Sequence, residues 1–369
     1  MLQTQIRTSV DSIDADLAQV SKLCQMGDYS SAIVALSTIL EQRPDSLAAW
    51  SEKANAYVNL GQHESALACL DKALMVHPTS PFLFYQRGWT AHISGRYEDA
   101  GSSFQRVIQL QPNYPHAHYS LGLALYTLNR YEDAIAYLAK ALDLDPSLAD
   151  TWYLQGAALY ATGRYEGAVT HFNRSLEIRP DHADGLSSRG NALLCLGDYE
   201  AASSSYAQSL AIQVEDPQVW YQRGVALKNL NRHEDAIGCY QKALKFDSNF
   251  ATAWYGQALS FIKLENWEKA LTSYDQALAL QPDYYEAWYN RAVLLKNLNR
   301  LDDALKSYGQ ALELRPNDFR AWNNRGSLLV VMGQWEAALD SFDKVLQFRP
   351  NDPNAMRNRE AVLKKIQSS

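Results

Sequence analysis

The chain has 369 residues, 47% of them apolar and 20% charged, with a formal net charge of −7. That balance excludes a disordered chain, and the acidic surplus argues against a general nucleic-acid binder, whose affinity for phosphates needs a basic face. Cys24, Cys69, Cys195 and Cys239 lie far apart with no CxxC pair and no metal-ligand spacing, the pattern of reduced thiols and not of a disulfide framework or zinc site.

Met1 to Val10 lacks an apolar signal-peptide core, and nowhere do eighteen apolar residues run together. The expectation is a cytoplasmic protein with no membrane insertion. Residues 1–12 read as an N-terminal cap. From there the sequence copies itself: Pro44, Pro78, Pro112, Pro146 and Pro180 are each 34 residues apart, the count passes through Val214 and Ser248, and proline returns at Pro282, Pro316 and Pro350. A 34-residue period marks a repeat array and overrides the two or three domains that length alone suggests. With proline at position 32, ten units occupy residues 13–46, 47–80, 81–114, 115–148, 149–182, 183–216, 217–250, 251–284, 285–318 and 319–352.

Each unit reads as two helices. Position 15 is Gly or Asn in nine units (Gly27, Gly61, Gly95, Asn129, Gly163, Gly197, Asn231, Asn299, Gly333) and Glu265 in the eighth. Gly and Asn enter the left-handed conformation cheaply, so a first helix ends there. A second follows with an acidic first turn, as in Glu98-Asp99, Glu132-Asp133, Glu234-Asp235 and Asp302-Asp303, which suits the positive end of a helix dipole. Proline at position 32 stops it. Position 33 carries Asp45, Thr79, Asn113, Ser147, Asp181, Asn249, Asp283, Asn317 and Asn351, which read as N-caps for the next unit.

At about 100° per residue, positions 4, 8 and 11 form one core stripe, with Trp50, Trp152, Trp220, Trp254, Trp288 and Trp322 at position 4. Alanine at position 20 in all ten units, Ala32 through Ala338, lets the two helices approach closely. The joint between units six and seven is the weakest, because Ser203-Ser204-Ser205 thins the second helix and Val214 replaces proline. Residues 353–369 read as a C-terminal capping helix, with Met356, Leu363 and Ile366 covering the last unit and Arg357, Arg359, Lys364 and Lys365 facing water.

This pattern resembles the tetratricopeptide repeat (TPR) family over nearly the whole chain. The resemblance implies an all-α fold, a right-handed superhelical α-solenoid of helix-turn-helix repeats. It also implies that positions 2, 5, 9, 12 and 13, opposite the core stripe, line a concave groove holding extended peptides or helices. Position 5 carries Tyr85, Tyr119, Tyr153, Tyr221, Tyr255 and Tyr289, either a ladder in that groove or packing between adjacent first helices. Trp89 stands at position 9, where other units carry smaller residues, and with Tyr85, His92, His116, Tyr119, Tyr126, Tyr153 and Tyr160 it forms a candidate aromatic patch across units three to five. Lys228, Lys263 and Lys296 at positions 12 or 13 of units seven to nine read as a basic strip for acidic segments or as solvated charges, and Asp150 and Asp184 at position 2 as an acidic counterpart.

Two TPR binding modes are tested by residue. The clamp for chaperone C-terminal carboxylates wants Lys at position 5 and Arg at position 6, and neither occurs. The asparagine ladder of the sugar-transferase superhelix wants Asn at position 6 repeatedly, and only Asn290 and Asn324 comply. The chain has no GxxxxGKS/T loop, HExxH helix, GxSxG elbow or dinucleotide fingerprint, so no catalytic residue, metal or cofactor is expected. His92, His116 and His118 are the closest approach to a metal set, and His118 falls in a core slot. The expected function is a noncatalytic scaffold binding peptide or helical segments of partner proteins. The alternative is the partner-recognition arm of a larger enzyme of glycosyltransferase or kinase type, with its catalytic domain on another stretch of chain. The charged segment after Asp352 favours the first, and the sequence sets neither partner identity nor oligomeric state.

Overall fold

The computed structural model describes residues 17–368, and every described element is helical. The expected N-terminal cap, residues 1–12, lies outside the described residues. Helix α1 covers residues 17–25 and pairs with α2 (Tyr29–Gln42). There follow α3 (Leu47–Asn59) with α4 (His63–Val76), α5 (Pro81–Ile93) with α6 (Tyr97–Leu110), α7 (Pro115–Thr127) with α8 (Tyr131–Leu144), and α9 (Ala149–Ala161) with α10 (Tyr165–Ile178). Next come α11 (Ala183–Cys195) and α12 (Tyr199–Ile212), then α13 (Pro217–Asn229) with α14 (His233–Phe246), and α15 (Ala251–Lys263) with α16 (Trp267–Leu280). The series ends with α17 (Tyr285–Asn297) and α18 (Leu301–Leu314), α19 (Phe319–Val331) and α20 (Trp335–Phe348), and α21 (Pro353–Ser368). The chain divides into two compact bodies, Met1–Ala192 and Leu193–Ser369.

The turn inside each pair is set at position 15. All ten residues there have positive φ, from 58° at Glu265 to 79° at Gly27. That conformation lets the following N–H reach back: Gly163 N–H donates to Tyr160 O at 2.9 Å and Arg164 N–H to Leu159 O at 2.9 Å, which satisfies carbonyls that the helix end would otherwise strand.

Packing within a pair depends on the alanine at position 20, fully buried in every unit. One turn further along the same helix, position 24 holds the largest buried side chain: Leu36, Leu70, Phe104, Leu138, Phe172, Tyr206, Tyr240, Tyr274, Tyr308 and Phe342 are all at most 1% exposed. Against Phe104, Phe172, Tyr240 and Phe342 the first helix makes room with glycine at position 8, whereas units eight and nine carry Ala258 and Ala292 there beside Tyr274 and Tyr308. A Cβ at Gly88 would sit 2.5 Å from Phe104 Cε1, and one at Gly224 would sit 2.6 Å from Tyr240 Cε1. The position-4 tryptophans are half-buried and not core, because each reaches out to a backbone carbonyl at position 32. Trp50 donates to Pro44 O at 2.8 Å, Trp152 to Pro146 O at 2.9 Å and Trp288 to Pro282 O at 2.9 Å.

Three expectations need correction. The N-caps of first helices fall at position 34, one residue later than expected, because positions 32 and 33 are both spent in the turn. Ser46, Ser80, Asp216, Asp318 and Asp352 cap with their side chains, while Tyr114, Leu148, Phe250 and Tyr284 stand there without a side-chain cap. Helix α12 is not thinned, running 14 residues like its counterparts with Tyr206 fully buried and Ser205 Oγ donating to Ala201 O. Helix α21 covers the last pair with Ala355 and Val362, whereas Met356 is 53% exposed.

Some neighbouring pairs are stapled by an arginine at position 7. Arg87 Nε donates to Asp71 of the preceding pair at 2.7 Å and Nη1 to Ser103 of its own pair at 2.8 Å. Arg291 repeats this with Asp275 and Ser307, both at 2.7 Å. Arg359 on α21 meets Asp343 in the same register, so α21 docks like the first helix of another unit.

Candidate partner-binding site

In the N-terminal body, helix α5 carries a stripe whose middle rests on the core and whose ends are open. Phe82, Tyr85, Trp89, His92 and Ile93 fall within about 100° of the helix circumference. Its two ends are the most open, Phe82 at 50% and Ile93 at 57% exposure, with Tyr85, Trp89 and His92 half-buried between them. The sequence singles out Trp89 as a candidate and does not single out Phe82 and Ile93. Their signal was available, since they occupy positions 2 and 13 of the expected groove face, where a chain that needs only solubility places polar residues.

The rings of this stripe are locked from below. Trp89 lies edge-on to Phe104 at 5.8 Å, to His92 at 5.5 Å and to Tyr85 at 6.4 Å. Burial holds the His92 imidazole below its ordinary pKa, and its Nδ1 has no protein partner. His92 also meets Tyr97 at 5.1 Å, the first of three matching contacts between positions 12 and 17. Tyr126 meets Tyr131 at 5.4 Å and Tyr160 meets Tyr165 at 5.4 Å. These pairs place the rings of units three, four and five in one repeating geometry.

The position-5 tyrosines resolve in favour of packing. Each of several leans on position 34 of its own unit: Tyr85 on Tyr114 at 5.6 Å and Tyr153 on His182 at 4.7 Å in one body, Tyr221 on Phe250 at 5.0 Å and Tyr255 on Tyr284 at 4.9 Å in the other. Position 6 of the next unit secures the hydroxyl. Asn290 Nδ2 donates to Tyr255 OH at 2.8 Å and Asn324 Nδ2 to Tyr289 OH at 2.9 Å. Those two asparagines therefore serve the seam between first helices. Tyr119 is half-buried, and burial pushes its hydroxyl above the ordinary pKa, with Asp150 adding to the effect. Asp150 itself is paired with Arg179 at 2.6 Å, so it is no free acidic strip. His116 is exposed and touches only the edge of Tyr114 at 5.7 Å among ring contacts. His118 is buried and donates through Nε2 to Pro112 O at 2.8 Å, taking the part of the indole N–H.

In the C-terminal body, lysine stands at position 12 of units seven and nine, as Lys228 and Lys296, and at position 13 of unit eight, as Lys263. Lys228 is half-buried without an ion-pair partner, and burial lowers its pKa. Both Lys228 and Lys263 lie near His233, which burial and then Lys263 hold below the ordinary imidazole value. Lys263 is exposed and Lys296 half-buried, and the structure ties Lys296 to neither. Among the described residues, no group of three or more His, Cys, Asp or Glu is placed to hold a metal ion, and no helix is long and apolar enough to cross a membrane.

Family models of the tetratricopeptide repeat match residues 23–82, 85–149, 147–213, 217–250, 258–299, 285–318 and 319–352. The chain belongs to the tetratricopeptide repeat family. Among solved structures of this TPR fold, that of YrrB, a TPR protein with an unusual peptide-binding site, is 25% identical with a TM-score of 0.49, spanning 52% of this chain and 99% of that one. A crystal structure of MamA is 20% identical with a TM-score of 0.44, over 47% of this chain and 94% of that one. MamA 41-end from Desulfovibrio magneticus RS-1 is 21% identical with a TM-score of 0.43, over 44% and 93%. No curated protein matches this TPR chain.

Proposed function

We propose that this TPR chain is a noncatalytic scaffold that binds peptide or helical segments of partner proteins on the face presented by its first helices. The observation that carries this reading is the α5 stripe. Phe82 and Ile93 stay open to solvent on either side of a Trp89 whose ring is fixed by Phe104. Rigid aromatic surface flanked by exposed apolar side chains gains free energy when a partner covers it, because little side-chain entropy remains to be lost. The position 12 residues give the two bodies different chemistry. Units three to five offer His92, Tyr126 and Tyr160 for apolar contacts, and units seven and nine offer Lys228 and Lys296, with Lys263 at position 13 of unit eight, for acidic side chains.

The test is affinity capture from cell extract with wild type and a Phe82→Ser, Ile93→Ser double variant, both checked by thermal melting. These side chains are largely exposed, so the expected result is loss of partners at an unchanged melting temperature. Identical partner sets from the two proteins would overturn the assignment of the α5 stripe.

A further inference from the structure

Position 21, on the second helix, is aliphatic in eight units: Ile33, Leu67, Ile135, Val169, Ile237, Leu271, Leu305 and Leu339. Its role is to fill the seam to the next pair. Leu67 packs with Ala91 and Ala100, Ile135 with Leu159 and Ala168, and Ile237 with Phe261 and Ala270. In unit three the residue is Gly101. A Cβ built there meets only Leu121 Cδ1, at 3.6 Å. An open slot of about 330 Å³ lies beside Gly101 between α6, α7 and α8, with Leu121, Leu125 and Leu128 on its apolar wall and Glu98, Gln105, Arg130 and Asp133 on its polar rim.

A second feature coincides with the slot. Where position 16 is arginine, it reaches the position-18 glutamate of the preceding unit: Arg96 meets Glu64 at 3.1 Å, Arg164 meets Glu132 at 2.8 Å and Arg232 approaches Glu200 at 3.8 Å. Arg96 and Arg232 also bond the aspartate three residues on, Asp99 and Asp235, whereas Arg130 gives Nε and Nη2 to Asp133, at 2.9 and 2.6 Å, and does not reach Glu98. That leaves the exposed Glu98 carboxylate at the mouth of the slot with no ion-pair partner. Arg300 also turns to the aspartate of its own unit, Asp303, but there Leu271 fills position 21 and is buried.

We propose that the slot beside Gly101 is a second binding site, separate from the first-helix face, which takes a lysine side chain of a partner protein. The four-carbon stem replaces the aliphatic side chain that other units supply, and the ammonium meets Glu98. Long cationic side chains bury their stems along apolar surface while keeping the head in a polar rim, and the slot offers a leucine wall below and a carboxylate at its lip. Arg130 on the rim is neutralised by Asp133 at 2.6 Å, so Glu98 supplies the uncompensated charge and favours a cation over a neutral or anionic head.

The experiment uses the full chain with methyl-labelled leucines and follows the Leu121, Leu125 and Leu128 methyl resonances. The probes are N-acetyl-lysine N-methylamide and the norleucine analogue, which keeps the stem and lacks the charge. Saturable shifts are expected with lysine, with norleucine weaker on the order of fivefold. Glu98→Gln is expected to bring lysine down to the norleucine level without moving norleucine. Gly101→Leu, which refills the slot, is expected to abolish both sets of shifts. Non-saturating shifts, shifts that survive Gly101→Leu, or norleucine binding as well as lysine would each overturn the proposal.

Discussion

Trp220 Nε1 donates to the carbonyl oxygen of Val214 at 2.8 Å, the same bond that Trp50, Trp152, Trp288 and Trp322 make to a proline carbonyl. The acceptor is backbone, so the bond survives the loss of proline from position 32. What the loss removes is a constraint on the unfolded chain. Val214 N–H makes no backbone hydrogen bond, so Val214→Pro is expected to stabilise the protein by about 0.4–1 kcal/mol. Trp220→Phe, which strands the carbonyl, is expected to cost about 1 kcal/mol. Urea unfolding of the two variants measures both.

Glu265 is the one residue at position 15 that is neither Gly nor Asn, and it sits at φ 58°. Left-handed backbone costs an ordinary L residue roughly 1–2 kcal/mol. Glu265→Asn is therefore expected to raise stability by about 1 kcal/mol, read as a higher denaturant midpoint at constant slope.

Gly88 tests the ring-on-glycine contact. A methyl group there meets Phe104 Cε1 at 2.5 Å, and the ring is wedged among Tyr85 and Trp89. Gly88→Ala is expected to cost about 1–3 kcal/mol through overpacking, despite the better helix propensity of alanine. Gly238→Ala, where the Cβ meets nothing within 4 Å, is expected to stabilise by roughly 0.5–1 kcal/mol.

Asp318 caps α19, accepting from the backbone N–H groups of Arg320 and Ala321, from the Arg320 guanidinium and from Tyr285 OH. Burial alone would raise its pKa, but the bonds from Arg320 and Tyr285 outweigh it and hold the carboxyl at about 2. A depressed carboxylate contributes stability that is present above about pH 4 and lost as the pH falls through about 2. Its share is on the order of 1 kcal/mol after solvent screening. Asp318→Ala is expected to lower the melting temperature at pH 7 and to flatten the decline between pH 4 and 2 relative to wild type.

The sequence exposes constraints that act on one residue at a time. Gly at position 15 marks a φ that few residues adopt, and Ala at position 20 marks a place with no room for more, so both could be read directly. Relationships between positions were harder. The cap at position 34 was displaced by one because Asp and Asn at position 33 have equally good cap chemistry, and only the length of the turn separates them. The position-5 tyrosines carry no mark of the Tyr114, His182, Phe250 and Tyr284 rings they lean on, each 29 residues further along the chain. The Asp150–Arg179 pair is hidden for the same reason. In the candidate site, Trp89 stood out as an exception to its column, whereas Phe82 and Ile93 are apolar residues at mostly polar positions 2 and 13, a signal that shows only when those columns are compared across units.

The arginine staple at position 7 has a mechanical corollary. Since the arginine-to-aspartate bond fastens the seams before Arg87, Arg291 and Arg359 while Leu121, Gln155 and Gln257 stand at position 7 of units four, five and eight, the seams differ in strength. Pulled from its ends, such a molecule yields in instalments, each release paying out one 34-residue length of slack, about 115 Å when fully drawn.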